Sequence, residues 1–77
     1  MNLAITQELF KAGDLIKARI EPVPMSNGYT LVFTRADGSN VSLTRTKTRD
    51  IKIYKRENGA MVDAKKIGFQ EISILLN

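Results

Sequence analysis

The chain has no cysteine, no histidine and no tryptophan, and two prolines among its 77 residues. Each absence excludes a class of chemistry. Without cysteine there is no disulfide to staple the fold, no thiolate nucleophile and no cysteine-ligated zinc. Small secreted domains usually need such staples, so a reducing, cytoplasmic setting is the expected compartment. Without histidine there is no imidazole acid–base catalyst, no Ser-His-Asp triad and no His metal ligand. Neither G-x-x-x-x-G-K-[ST] nor G-x-G-x-x-G occurs, so both familiar phosphate cradles are missing. The eight carboxylates are scattered, one or two to each expected element. The expectation is a protein that is not an enzyme and carries no cofactor and no metal. Long apolar runs are also lacking. No stretch approaches the roughly 18 residues of a membrane span. Met1-Asn2-Leu3-Ala4-Ile5-Thr6 lacks the basic start and apolar run of a targeting segment. No membrane partner is expected.

What is present suits a folded chain. Apolar residues make up 43% of the sequence, too many for a disordered chain. The length predicts one domain spanning residues 1–77, with a thin core, because a domain of this size buries only about 60% of its unfolded surface. With five aromatics (Phe10, Tyr29, Phe33, Tyr54 and Phe69), most of that core must come from Ile, Leu and Val.

The turns divide the chain clearly. Residues 3–12 read as a short helix with Leu3, Ile5, Leu9 and Phe10 on its apolar face and Gly13 as a left-handed stop. The alternative is a short strand over Leu3-Ala4-Ile5 with the helix starting at Thr6. Residues 14–23 read as a strand in which Ile16, Ala18 and Ile20 alternate with Lys17, Arg19 and Glu21. Pro22 and Pro24 end it, and Ser26-Asn27-Gly28 is turn chemistry. Residues 29–36, dense in β-branched and aromatic side chains, form the clearest strand. Asp37-Gly38 marks a hairpin turn, with a return strand over residues 41–46 placing Val41 and Leu43 on one face. Residues 50–56 read as a further strand, with Ile51 and Ile53 opposite Lys52 and Tyr54. Asn58-Gly59 then permits a hairpin or, the preferred reading, a helix capped by Asn58 and stopped at Gly68. Phe10 is expected in the core, and Met61 as a gap-filler. Residues 69–76 end the order as a strand with Ile72, Ile74 and Leu76 on one face. The expected fold is α+β, of order α-β-β-β-β-α-β, with a mostly antiparallel sheet covered on one face by two short helices.

Charge is the one uneven feature. The chain carries 12 Lys and Arg against 8 Asp and Glu, for a net charge of +4. Arg45, Lys47, Arg49, Lys52, Lys55 and Arg56 face only Asp50 within residues 45–56, which gives that segment +5 and leaves −1 for the rest of the chain. On an extended chain Arg45, Lys47 and Arg49 of Thr44-Arg45-Thr46-Lys47-Thr48-Arg49 would share one side, a row that can track a phosphate backbone. A loop would present the same residues as a basic arm. The competing reading is a solvated face, since Thr favours strands and Lys guards sheet edges. Tyr54 has two readings as well. It can stack on a base amid Lys52 and Arg56, or pack on the second helix with its hydroxyl at the surface, which is preferred. The terminal strand, with no charge after Glu71, is a candidate edge for a homodimer.

The basic Thr-rich stretch, the strand Ile51 to Tyr54, the short helix and Ile67-Gly68-Phe69 together resemble small accessory proteins of bacterial plasmids, including partition-associated ones, over roughly residues 29–76. The resemblance implies a bacterial, cytoplasmic, non-catalytic protein working near DNA or DNA-handling proteins, and it transfers no site residues. The α-β-β-β start is also similar to double-stranded RNA-binding domains. Those place a Lys-rich motif at the start of their last helix, where this chain has Asn58-Gly59-Ala60-Met61. The leading expectation is a nucleic-acid-binding module, for DNA in particular, whose phosphate ligands are Arg45, Lys47, Arg49, Lys52, Lys55 and Arg56. The alternative is an adaptor that binds an acidic protein or adds a strand at an exposed edge.

Overall fold

The computed structural model describes residues 1–45, 47–48 and 50–75. The elements run α1 (Leu3–Lys11), β1 (Leu15–Pro22), β2 (Tyr29–Arg35), β3 (Asn40–Ser42), α2 (Glu57–Ile67) and β4 (Ser73–Ile74). The fold is α+β, with one sheet in the order β3-β2-β1-β4. β1 pairs antiparallel with β2, and β2 with β3, but β4 lies parallel to β1, so the sheet is mixed.

Helix α1 starts where Asn2 caps it: its side-chain oxygen accepts the Ile5 N–H at 3.0 Å, satisfying a donor that no helical carbonyl can reach. The N-terminal helix reading therefore holds from Leu3, and Thr6 is no cap. Thr6 is instead fully buried, its hydroxyl donating to the Asn2 carbonyl at 2.6 Å, while Leu3, Leu9 and Phe10 pack on the core beside it. Because Thr6 takes the inward position, Ile5 points out and is half exposed, contrary to its expected place on the apolar face. Gly13, at φ 81°, ends the helix in the left-handed region.

The β1–β2 ladder slips between Leu15 and Lys17. An extra residue in one strand rotates everything before it to the other face. Leu15 is thereby buried and Ile16 is 54% exposed, so the simple alternation of Ile16 with Ala18 and Ile20 fails at its first member. At the same end of this ladder Asp14 takes both Nε and Nη2 of Arg35, at 2.9 and 2.5 Å. The β2–β3 turn is as expected. Gly38 has φ 92°, and the Asp37 carboxylate accepts the Ser39 N–H and hydroxyl at 2.9 and 2.6 Å. The return strand is shorter than expected, Asn40–Ser42, and Thr46 lies outside the described residues.

Both helices pack against the same face of the sheet. Ala18, Ile20, Leu31 and Phe33 meet Ala60, Ala64 and Ile67 of α2 there, and Phe33, Ile20, Leu31 and Leu43 are fully buried. Each such side chain contributes roughly 1.5–3 kcal/mol by leaving water. Phe69 turns into this core, edge-on to Phe10 at 4.7 Å and stacked on Phe33 at 5.7 Å. Gly68 (φ 134°) makes that turn possible, since a Cβ there would lie 2.5 Å from the Phe10 ring. With Phe69 committed inward, only Ser73–Ile74 of the expected 69–76 strand pairs with β1, and Leu76 lies outside the described residues. Ile72 and Ile74 pack on the core. The uncovered face of the sheet is polar: Arg19 pairs with Glu21 and donates to Thr34 and Asn40.

The expected strand at 50–56 exists as two isolated antiparallel bridges, Thr44–Ile51 and Tyr29–Tyr54, rather than a ladder. The helix reading of 58–67 holds with a shifted start. α2 begins at Glu57 with Arg56 in the capping position and no side-chain cap, so Asn58 lies inside the helix. Lys65 and Lys66 sit in its last turn, at the negative end of the helix dipole. Among the described residues no helix is long and apolar enough to cross a membrane.

Candidate functional site

The basic segment is a hairpin projecting from the sheet. Leu43 N–H still bonds the Leu31 carbonyl at 2.9 Å, so the outgoing limb starts in register with β2. Beyond it, Lys52 N–H donates to the Leu43 carbonyl and Arg45 N–H to the Asp50 carbonyl, each at 2.9 Å. The chain therefore turns back between Arg45 and Asp50. The returning limb rejoins the sheet where Tyr54 and Tyr29 exchange both backbone bonds at 2.8 Å. Two sets of bridges thus fix the base of the hairpin. A third contact braces its outgoing limb, the Thr44 N–H donating to the Met1 carbonyl at 2.8 Å.

This geometry replaces the expected extended row with the loop alternative. Arg45 and Lys47 are exposed at the turn, and among the described residues neither belongs to a strand. Arg49 lies outside the described residues. Lys55 and Arg56 are exposed on the short link from Tyr54 to α2. Between the hairpin and the start of α1 lies a concavity of about 440 Å³, bordered by Asn2 and Ile5 on one side and Arg45, Lys47 and Thr48 on the other. A second, of about 310 Å³, shares Thr44 and Arg45 and reaches Leu3 and Ile53.

Lys52 belongs to a different constellation. Its Nζ is 3.0 Å from Asp63 Oδ2 and 5.0 Å from the centre of the Tyr54 ring. The Tyr54 hydroxyl donates to the same carboxylate oxygen at 2.5 Å. Tyr54 is buried with its hydroxyl inside, so it is no stacking platform, and the packing reading holds except for the expected surface hydroxyl. Gly59 lets α2 approach, since a Cβ there would sit 3.1 Å from the Tyr54 ring. Burial pushes the Asp63 carboxyl up, but the hydrogen bonds from Tyr54 and Lys52 and the charges of Lys52 and Lys66 outweigh it and hold the group below its usual range. Burial, and then the bond to Asp63, raise the Tyr54 phenol well above its ordinary value. This clip ties the returning limb to α2. Its signal in the sequence is Asp63 itself, a carboxylate at helical spacing with Ala60 and Ile67 on an inward face, where it requires a donor.

Among the described residues no three His, Cys, Asp or Glu side chains gather as a metal site. Besides Asp63, three carboxylates have cationic partners among the described residues: Asp14 with Arg35, Glu21 with Arg19 and Glu8 with Lys11. Ile5 borders the hairpin without having been a candidate, because only the fold brings α1 beside it. No protein-family model, curated protein or solved structure matches this chain.

Proposed function

We propose that the protein is a non-catalytic accessory protein that binds DNA through its phosphates. The ligands are Arg45 and Lys47 at the hairpin turn, with Lys55 and Arg56 beside its base. Arg49, from the same basic segment of the sequence, completes the proposed set. Lys52 is not among them, because Asp63 neutralises it.

The observation that carries this reading is how the cations sort. Lys11, Arg19, Arg35 and Lys52 are in ion pairs, whereas among the described residues Arg45, Lys47, Lys55 and Arg56 have no carboxylate partner. Lys65 and Lys66 complement the end of α2, and Lys17 stands apart on β1. Unneutralised charge held on a fixed hairpin is what a polyanion releases its counterions to meet. Fluorescence anisotropy with a labelled DNA duplex tests it. Micromolar binding at low salt, weakened at moderate salt and lost in Arg45→Glu/Lys47→Glu, is the expected result. No binding at low salt overturns the reading.

A second reading rests on the other end of the sheet. β4 pairs with β1 alone among the described residues, and Leu75 beyond it is 45% exposed. That edge suits a second copy of the chain or an added partner strand. Since Ile72 and Ile74 serve the core, Leu75→Lys is the informative variant. Sedimentation at high micromolar concentration should show a dimer that this change dissociates, and a monomeric wild type removes the self-pairing form of this reading.

A further inference from the structure

We infer that the hairpin takes double-helical DNA in preference to single strands, an inference that rests on the DNA-binding reading above. Proteins that hold single strands combine cations with aromatic faces on which bases stack, each worth about 1–3 kcal/mol. This chain has five aromatics, all within the described residues. Phe33, Tyr54 and Phe69 are buried, and Phe10 and Tyr29 are partly buried against the same core.

The tyrosines are further committed by their hydroxyls. Tyr54 donates to Asp63, and its ring lies between Lys52 and Gly59. Tyr29 lies beside Glu57, whose carboxylate raises its phenol. A phosphodiester strand brought to Tyr29 therefore meets a carboxylate of its own sign. The surface around the hairpin turn offers Arg, Lys and Thr, which reach phosphates, together with Ile5 at its border. No ring faces outward there.

The shape of the element agrees. A two-stranded ribbon fits the major groove of B-DNA, about 12 Å wide, whose rims are lined with phosphate. The base of this ribbon is set by the Leu43–Lys52 and Tyr29–Tyr54 bonds before any ligand arrives. A pre-formed ribbon suits a stiff, regular ligand, and it gains nothing from a flexible strand whose bases it cannot stack. A duplex also presents phosphate charge at twice the axial density of one strand, about one per 1.7 Å.

The test compares the wild-type protein on a mixed-sequence duplex and on each of its separated strands, at equal phosphate concentration and two salt concentrations. The expected result is a duplex Kd about tenfold lower than that of either strand, with a salt exponent of about −4.5 for the five proposed cations. Equal or tighter binding to single strands, still weakened by salt, overturns the preference for duplex and leaves the DNA reading standing. Binding to neither form at low salt overturns both.

Discussion

Lys47 and Lys52 stand five residues apart on one charged segment. Lys47 is exposed at the turn of the hairpin, beside the concavity under α1. Lys52, on the returning limb, reaches Asp63 at 3.0 Å and lies over the Tyr54 ring. The same residue type thus serves two purposes. In the clip its charge is neutralised, and it orients a limb against α2. At the turn the charge is left for a ligand. Composition counts both alike, and only the partner across the fold separates them. A basic patch is therefore better counted by cations without carboxylates than by cations in sequence.

Reversing charge at the turn and removing it from the clip should have different consequences, the largest at the turn. Arg45→Glu/Lys47→Glu should weaken duplex binding about 100-fold, with chemical-denaturation midpoints showing stability within about 0.5 kcal/mol of wild type. Should the double change unfold the protein, the turn would be structural and the division between turn and clip would fail. Next in size is Asp63→Ala, which leaves the Tyr54 hydroxyl and the Lys52 ammonium without their acceptor. It should lower stability by about 2–3 kcal/mol in urea titration. Lys52→Met keeps the packing of the side-chain stem, so it should cost about 1 kcal/mol or less and change duplex affinity less than twofold.

The clip also predicts a pH response with a definite sign. Asp63 is held below the usual carboxyl range when folded, so the folded state binds fewer protons than the unfolded one as pH falls. Its contribution is present above the unfolded value near 4 and is lost on acidification through the lower folded value. Tyr54 is shifted the other way. Its contribution is intact below about pH 10 and declines as pH rises beyond it. Stability measured across pH should fall at both ends, and Asp63→Asn should flatten the acid side. The smallest effect sharpens the choice of ligand. Thr48→Trp places a ring at the exposed turn and should narrow the duplex-to-single-strand ratio about fivefold, by one modest stacking contact.

Elements governed by near neighbours were legible in the sequence. Gly13 and Gly68 stop their helices, and Asp37-Gly38 turns the chain, because left-handed backbone and short side-chain bonds are local requirements. Asn2 as the cap of α1 is equally local, since it directly precedes the expected helix start at Leu3. The bulge at Ile16, the parallel pairing of β4 and the hairpin were not legible, since each depends on register with a distant strand. The clip needed the spatial meeting of Asp63 with Lys52 and Tyr54, which neither period two nor period 3.6 reveals. The charge of residues 45–56 could be counted beforehand, but its division into neutralised and unneutralised cations could not.

The salt dependence of duplex binding separates the neutralised cations from the unneutralised ones. Affinities of the wild type, Arg45→Ala/Lys47→Ala and Lys52→Ala should be taken over a series of salt concentrations and plotted as logarithms. Each lost phosphate contact lowers the slope by about one. Five phosphate contacts give a wild-type slope of about −4.5, smaller by about two in the double variant and unchanged in Lys52→Ala. A slope reduced by about one in Lys52→Ala, half the change in the double variant, would show that Lys52 meets phosphate as the turn residues do, and would overturn that division.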